Sequence, residues 1–437
     1  MLHRLDGRAM NGAARFPRRP AVHWMPHTAA AYRPANRAAG QFVIWLCLIG
    51  ALIPAADVLF YVAGAKFTVG RLAVTSLLLP AMIAMARGRK LLTADLFAVA
   101  LGGWMVIAAV TVGGSATISS AGAESLEFVG GYFAARAFIY GPAALSDFAK
   151  ALKVVLVLVI LMAMAEHAAG RLIIHEMVAD ILHTTPPDAQ FRNGFVRATA
   201  TFDHAILFGA FCAFCGIILL YANPSPLKRA IWVGLSAYGC VLSLSSSAVM
   251  AIVIALMIYT FDRSMWRYPW RWGLLWGMAS LPLLGLSAAS QHPLHWIISH
   301  LTYDPVSGFF RLMIWDGAID KIQESPIVGY GFHPLGNDIL DATVDSVWLV
   351  FALRFGLPAV VLLVLSSMAA WRSVRHKPSG HPVIVLMEQM ATGFTMVLGM
   401  FMFVGLTVHF WNYMWIFWGL CIGTRASVRE WFLTQAR

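Results

Sequence analysis

Stretches of about 20 apolar residues recur along most of this chain and restrict its fold more than any other feature. A helix of that length crosses the hydrocarbon core of a bilayer, and hydropathy of this kind is typical of transmembrane helices. The pattern predicts spans near residues 41–63, 68–86, 95–113, 126–144, 151–169, 203–221, 230–244, 246–261, 272–290, 344–368, 383–404 and 408–424. We therefore expect an all-α polytopic membrane protein with about 12 transmembrane helices.

Lysine and arginine residues are distributed unequally between the two sides of these spans. If the spans alternate in direction, 23 of the 32 Lys and Arg residues lie on one side. Because cytoplasmic loops carry an excess of these residues, that side is predicted to be the cytoplasm, and both termini face it. The net charge of +11 is then explained by membrane topology and contact with anionic lipid, and it does not indicate nucleic-acid binding.

The chain is predicted to contain one folded unit with a tail at each end. Residues 1–40 are rich in Arg, Ala and Pro and lack an apolar segment, which indicates a disordered basic cytoplasmic tail rather than a cleaved signal peptide. Residues 41–425 form a single integral membrane domain, and residues 426–437 form a short cytoplasmic tail.

Two groups of residues resemble metal ligands, but their surroundings favour other roles. Cys212 and Cys215 form a C-x-x-C motif inside an apolar predicted helix, with no further ligand nearby in the sequence, so core packing is favoured. His292, His295 and His300 are flanked by tryptophan and isoleucine, which favours an interfacial helix. No metal site is predicted. All five cysteines fall inside predicted spans, so no disulfide framework is expected.

Two segments between predicted spans are too long to be simple connections, and both are predicted to lie on the exterior side. The first, at residues 170–202, opens with a helical period of apolar residues over 172–182, which predicts a helix along the membrane interface. The second, at residues 291–343, contains a predicted short helix over 309–322 and then a glycine-rich turn over 329–336.

The charged residues of these exterior segments suit the chemistry of a phosphate-bearing lipid. A guanidinium group matches phosphate oxygens with paired hydrogen bonds and stays charged when partly desolvated. If a diphosphate is the leaving group of a sugar, fixed positive charge stabilises it as the bond breaks. The attacking hydroxyl needs a base, which a carboxylate or a neutral histidine supplies. The sequence has no Asp-x-Asp motif, which favours a metal-independent transfer that needs no cofactor.

The candidates for holding the diphosphate are Arg197, Arg311, Arg192 and Arg354. Arg197 has an alternative role, because a loop arginine also anchors a segment to lipid headgroups. Arg354 lies inside a predicted span, where an ionisable residue is functional by default. A structural ion pair of Arg354 with Asp57 or Glu166 is the alternative.

The candidates for the base are Asp203, His204, His333 and Asp345. Asp203 lies at the predicted start of a helix, where a capping role is favoured over a catalytic one. His204 follows it, and a histidine can change its charge near neutral pH. All four lie at exterior helix ends or in exterior loops, close to the proposed phosphate site.

Several of these segments together resemble the bacterial O-antigen ligase and polymerase family. Residues 197–209 look like its signature of an arginine followed by a helix that opens with histidine. Residues 307–315 and 325–331 are similar to its large exterior loop. Residues 345–358 and 406–412 resemble its exopolysaccharide-polymerase branch.

This resemblance, which extends over residues 190–425, implies a function as well as a fold. It implies that Arg197 and Arg311 bind the diphosphate of an undecaprenyl-linked oligosaccharide, at a site that faces the periplasm from the bacterial inner membrane. The implied partners are this donor, a growing glycan or lipid acceptor, membrane lipids and other polysaccharide-assembly proteins, with no nucleic acid.

Three functions stay open. Ligases of the family tend to carry a histidine where this chain has Asp345 and Ser346, so polymerisation of lipid-linked repeats is favoured. The second function is ligation of finished glycan to a lipid A core or another acceptor. The third is a secondary transporter, which would need ionisable residues at the midplane and two related halves. Pro54, Asp57 and Arg354 are the features that suit a transporter, whereas most polar residues lie in exterior segments.

Overall fold

The computed structural model describes residues 37–62, 65–265, 267–268, 270–289, 305–372 and 381–435, and most of these residues are helical. The helices are α1 (Arg37–Leu48), α2 (Val69–Ala86), α3 (Thr93–Gly113), α4 (Ile118–Phe138), α5 (Gly141–Ala169), α6 (Ile173–Leu182), α7 (Ala205–Ala222), α8 (Pro226–Leu242), α9 (Ser246–Ser264), α10 (Arg271–Ala289), α11 (Pro305–Glu324), α12 (Asp338–Thr343), α13 (Val347–Trp371), α14 (Pro382–Val404) and α15 (Tyr413–Gln435). Two antiparallel pairs of short strands complete it: β1 (Leu59–Val62) with β2 (Ala65–Thr68), and β3 (Phe191–Arg192) with β4 (Phe195–Val196).

Seven helical segments of the described part of the chain are long and apolar enough to cross a membrane. They are Val69–Ala86, Thr93–Phe138, Gly141–Ala169, Ala205–Ala222, Ser246–Ser264, Val347–Trp371 and Pro382–Val404. The second of these contains both α3 and α4, which are joined by a 3-10 turn at Gly114–Thr117. The expectation of an all-α polytopic membrane protein is confirmed, whereas the number of spans and the side of each terminus stay predictions.

The first predicted span, 41–63, is wrong in its second half. Helix α1 ends at Leu48, a 3-10 turn follows at Ile49–Ala51, and strand β1 begins at Leu59. Pro54 interrupts the apolar run and cannot donate a helical hydrogen bond. The aromatic and β-branched residues after it favour a strand, although their apolar character alone suits a membrane helix equally well.

Helix α7 lies at the centre of the bundle. Within this apolar helix 89% of the residues are buried, and the helix packs against α8, α9 and α14. Cys212 and Cys215 on this helix are free and buried, as are the other three cysteines. The prediction that the C-x-x-C motif packs in the core is therefore confirmed.

Helices α4 and α15 approach each other closely along most of their length. Gly131 on α4, and Gly419 and Gly423 on α15, each face a backbone carbonyl of the opposite helix. A Cβ at any of these positions would collide with that carbonyl, so these glycines permit the close approach.

A buried ion network joins the predicted cytoplasmic ends of α3, α4 and α15. Arg136 is fully buried and its Nε donates to Asp95 Oδ1 at 2.9 Å. The same guanidinium contacts Glu430, and its Nη2 donates to the Lys90 carbonyl at 2.7 Å. Arg89 also donates to Glu430, at 2.9 Å. The network holds the inner ends of these three helices together.

The helices predicted in the exterior segments are confirmed. The predicted interfacial helix over 172–182 is α6, and the stretch 309–322 lies within α11. The glycine-rich turn is also present, with positive φ at Gly329, Gly331 and Gly336 (68°, 61° and 70°), where glycine carries little penalty.

Candidate functional site

A break in helix α13 positions Arg354. Gly356 has a φ of 78° and a ψ of 172°, so the helical hydrogen-bond ladder is interrupted there. Two carbonyls just before the break accept hydrogen bonds from the glycine-rich turn: Tyr330 N–H donates to Leu353 at 2.6 Å, and Gly331 N–H donates to Arg354 at 3.0 Å. The turn is therefore fixed directly against the backbone of Arg354.

The guanidinium of Arg354 is paired and still partly exposed. Its Nη1 donates to Glu124 Oε1 at 2.6 Å. The exposed fraction of the Arg354 side chain is 33%. The guanidinium carbon lies 5.4 Å from the centre of the Phe332 ring. The predicted ion pair of Arg354 with Asp57 or Glu166 is wrong, because both carboxylates bind other groups in the structure.

Beside Arg354 lies an open cleft of about 420 Å³. This volume is within the usual range for small-molecule sites, about 300–1,000 Å³. Its polar lining includes Arg354, His333, Asp341 and His409. His333 is exposed, and its backbone N–H donates to the Tyr330 carbonyl at 3.2 Å. The glycine-rich turn therefore places His333 on the wall of the cleft.

Arg311 and Asp345 lie close to each other at the exterior end of α13. Apolar residues of α11, among them Ile314 and Ala318, pack against Leu353 and hold α11 on α13. Burial raises the pKa of the Asp345 carboxyl, and the charge of Arg311 opposes that rise. Asp345 directly follows Val344, a lining residue of the cleft. The two groups therefore lie next to the cleft that contains Arg354.

The other two candidate arginines lie at a second cluster, beside the β3–β4 pair. Arg192 Nη1 donates to the Leu244 carbonyl at 2.7 Å. Arg197 Nη1 donates to Gln190 Oε1 at 2.8 Å, and its Nε donates to the Ser243 carbonyl at 3.4 Å. Burial and the charge of Arg192 lower the pKa of Arg197. Both arginines partly serve to hold the strands, and an anion here would relieve their mutual repulsion.

His204, not Asp203, caps helix α7. Its Nδ1 accepts a hydrogen bond from Ile206 N–H at 3.1 Å. Burial and the charge of Arg197 lower the pKa of His204 to about 4, so its ring is neutral at pH 7. Because Nδ1 is the acceptor, the ring proton is on Nε2. His204 is therefore a hydrogen-bond donor towards solvent and is poorly suited to act as the base.

The carboxylate of Asp203 is hydrogen-bonded to Asn412, a residue far from it in the sequence. Its Oδ2 accepts a hydrogen bond from Asn412 Nδ2 at 2.7 Å, and its Oδ1 is buried without a partner among the described residues. Burial raises the pKa of this carboxyl. The expected capping role was wrong because the helix begins one residue later than the sequence pattern indicated.

A buried histidine that sequence reasoning missed supports this second cluster. His175 on α6 faces two acceptors, Asp57 Oδ2 at 2.6 Å from its Nδ1 and the Phe202 carbonyl at 3.2 Å from its Nε2. Neither acceptor can donate, so both ring nitrogens carry protons and the ring is an imidazolium. Glu166 Oε2 accepts N–H bonds from Thr199 and Ala200 nearby. Together they fix the turn that leads to Asp203.

The segment 405–412, which precedes α15, links the two clusters. Val347 N–H donates to the carbonyls of Gly405 (3.0 Å) and Val408 (3.2 Å), which docks the segment on the start of α13. The Trp411 ring lies 6.2 Å from His204 and 5.6 Å from His409. The predicted span 408–424 placed this segment in the membrane, whereas α15 begins only at Tyr413.

The eight predicted site residues thus divide into two groups. Arg311, His333, Asp345 and Arg354 lie at or beside the cleft, and Arg192, Arg197, Asp203 and His204 lie at the second cluster. The latter surrounds only a narrow pocket. The histidines at 292, 295 and 300 lie outside the described residues. His409 was missed, and its only sequence signal was its place in the segment that resembled the polymerase branch.

Comparison with known proteins finds one matching family, over part of the chain. Residues 231–364 match a family model described as O-antigen ligase. The matched region runs from α8 into α13 and contains Arg311, His333, Asp345 and Arg354, whereas the second cluster and the 405–412 segment lie outside it. No curated protein matches the chain.

Proposed function

We propose that this chain, whose residues 231–364 match a family model described as O-antigen ligase, polymerises undecaprenyl-diphosphate-linked oligosaccharide repeats into a surface polysaccharide. The reaction would occur on the exterior face of the bacterial inner membrane. The observation that carries the proposal is the cleft lined by Arg354, which the break at Gly356 positions, with Arg311 and Asp345 close to each other next to this cleft.

The charges around the cleft favour a bound diphosphate. Arg354 is neutralised by a single carboxylate, Glu124, while part of its guanidinium stays exposed. Arg311 is exposed on α11 and adds a second positive charge next to Asp345. Hydrogen bonds to charged groups contribute roughly 1.5–3 kcal/mol each, so two arginines would bind a diphosphate firmly. The arginines supply the positive charge that a metal supplies in other transferases, which supports a metal-independent reaction.

The transfer itself is a displacement at the anomeric carbon of the donor. A hydroxyl of the acceptor forms the new bond to that carbon while the bond to the diphosphate oxygen breaks. The negative charge that develops on the leaving diphosphate is stabilised by Arg311 and Arg354. The hydroxyl proton passes to Asp345 or His333, the two candidate bases near the cleft. The raised pKa of Asp345 makes it a stronger base than an ordinary carboxylate.

Two features support polymerisation over ligation. The position where ligases of the family tend to carry a histidine is occupied here by Asp345 and Ser346, and Ser346 is buried with its hydroxyl donating to the Gly405 carbonyl at 3.1 Å. Asp345 is thus the ionisable residue at that position. The resemblance of residues 345–358 and 406–412 to the polymerase branch points the same way.

The glycan left on the lipid carrier after deletion of the chain tests this function. Loss of a polymerase leaves single repeats on the carrier, whereas loss of a ligase leaves long chains attached to it. Loss of a transporter leaves the donor facing the cytoplasm. Either of the last two results would overturn the proposal.

Complementation then tests the site. The Arg354→Gln variant should fail to restore polymer. Arg171→Gln is the matched control, because Arg171 is an exterior arginine in an exposed pair with Glu176, outside both clusters. It should restore polymer fully.

A further inference from the structure

His409 is the one ionisable side chain that the 405–412 segment contributes to the cleft in the described structure. It lies outside the region matched by the family, and the proposed reaction gives it no role. It lines the cleft together with Arg354, whose charge acts on the imidazole. A polar ring in this position faces the same ligand as the arginine.

The position of the ring is set by backbone contacts. Val408, its neighbour, accepts a hydrogen bond from Val347 N–H, and Val347 lies two helical turns before Arg354 on the same face of α13. The segment therefore lies against the face of α13 that carries Arg354. On its other side the Trp411 ring packs 5.6 Å from the imidazole.

The two nitrogens of the ring have different surroundings. Nδ1 is buried and has no hydrogen-bond partner within the part of the chain that the structure describes. Because the ring lines the cleft, Nε2 is the nitrogen left to meet a ligand there. A buried N–H without a partner is rarer than an unpaired acceptor, so the proton of a neutral ring belongs on Nε2. Burial and the charge of Arg354 lower the pKa of His409 to about 3, and the free ring is therefore neutral at pH 7.

We infer that His409 is a further diphosphate-binding residue, whose Nε2–H donates to an oxygen of the leaving diphosphate beside Arg354. This role rests on the proposed function. The ring takes no proton from the acceptor, so the role is separate from that of the base. A bound diphosphate offsets the charge of Arg354, and a ring that then gains a proton at Nδ1 still donates through Nε2.

Three substitutions of His409 distinguish hydrogen-bond donation by Nε2 from proton transfer by the ring. In His409→Gln the amide nitrogen can take the place of Nε2, so this variant should keep activity within a few-fold of wild type. His409→Asn places its amide near Nδ1 instead, and His409→Ala has no donor. Both should lose about tenfold to a hundredfold in turnover, the usual effect of losing a charged hydrogen bond. Their donor KM should rise.

Several results would overturn the inference. A Gln variant as inactive as the Ala variant, at equal protein level, would mean that the ring exchanges a proton. An Asn variant as active as wild type would mean that no donor is needed. His167→Ala is the matched control, because His167 also has a buried unpaired Nδ1 but does not line the cleft. It should behave as wild type.

Binding distinguishes a failure of this inference from a failure of the proposed function. Undecaprenyl diphosphate is titrated into detergent-solubilised wild type and the His409→Ala variant. Wild-type binding that weakens about tenfold or more in the variant supports the inference whether the reaction is polymerisation or ligation. Equal binding by both proteins overturns the inference alone. No binding by wild type overturns the inference and the proposed function together.

Discussion

The side-chain amide of Asn412 donates a 2.7 Å hydrogen bond to Asp203 Oδ2, and this contact joins the start of α7 to the start of α15. Asn412 has a φ of 50°, a left-handed conformation that asparagine tolerates better than most residues. Because Trp411 and His409 precede it in the same segment, the bond sets where that segment lies. It is a direct link between Asp203 of the second cluster and the segment that carries His409.

Asn412 and Asp203 should be energetically coupled. Asn412→Gly removes the hydrogen bond without backbone strain and should lower the free energy of unfolding by about 1–3 kcal/mol, because it leaves a buried carboxyl unpaired. Asp203→Ala should have a cost of similar size. The double variant should cost less than the sum of the two, as measured by thermal unfolding in detergent. Strictly additive losses would show that the contact has no energetic role.

Arg311 should be sensitive to the shape of its side chain as well as its charge. If the guanidinium holds a diphosphate by paired hydrogen bonds, Arg311→Lys should lower the rate of polymer formation at least about tenfold. Arg311→Ala should lower it further and leave only a small residual rate. Both should accumulate normally in the membrane, and Arg171→Lys should have no effect. A fully active Lys variant would reduce Arg311 to a simple electrostatic attractor.

The pH profile of the reaction should show a fall in activity at low pH, its acid limb, that reports the protonation of Asp345. If Asp345 is the base, activity falls as the pH falls through its pKa, which burial raises above the usual 3.8. The charge of Arg311 opposes that rise, so Arg311→Gln should raise this pKa further and move the acid limb to higher pH. Arg311→Lys keeps the charge and should leave the limb in place. The measurement is kcat/KM against pH with each variant, and an unmoved limb in the Gln variant would contradict it.

His175 should make stability depend on pH. Burial lowers its pKa, but Asp57, Glu166 and Asp203 together raise it above the usual 6.5. The folded protein therefore holds this proton more tightly than the unfolded chain does. The resulting stability is fully present below pH 6.5 and is lost as the pH rises through the folded-state pKa.

Asp57→Asn tests this linkage, because it keeps an acceptor for Nδ1 but removes the charge. The pH-dependent loss of stability should then be smaller and should be complete at a lower pH in Tm measurements. His183→Gln, at the exposed end of the same helix, is the control. An identical pH profile for Asp57→Asn and wild type would show that His175 is not held as an imidazolium.

The topology can be tested by accessibility. Gly194 and Gly336 are exposed, and neither has a neighbour that a Cβ would meet within 4 Å. Both have positive φ (80° and 70°), so a cysteine there costs about 1–2 kcal/mol of backbone strain. Single cysteines at these positions should react with an impermeant thiol reagent in intact spheroplasts. The five native cysteines are buried and should contribute little background. Labelling only after lysis would place these segments in the cytoplasm and remove the basis of the proposed site.

Local pattern predicted the elements of this fold well, whereas it predicted the partners of charged residues poorly. Helices α6 and α11 follow from apolar period, and the glycine-rich turn follows from its residues. The pairing of Arg354 with Glu124 joins residues 230 positions apart, and no local signal distinguishes Glu124 from Glu166. Residues 408–412 were assigned to a membrane span because their apolar composition suits a membrane helix, and their docking on α13 shows that they lie beside the cleft.

The 405–412 segment follows the other residues that line the cleft in the sequence, and this order has a consequence for biogenesis. His409 follows every other lining residue of the cleft in the sequence, and Asn412, the partner of Asp203, follows soon after it. Until these two residues are synthesised, Asp203 lacks its partner and one wall of the cleft is missing. A nascent chain therefore inserts most of its helices before it can present a complete site to the lipid carriers around it.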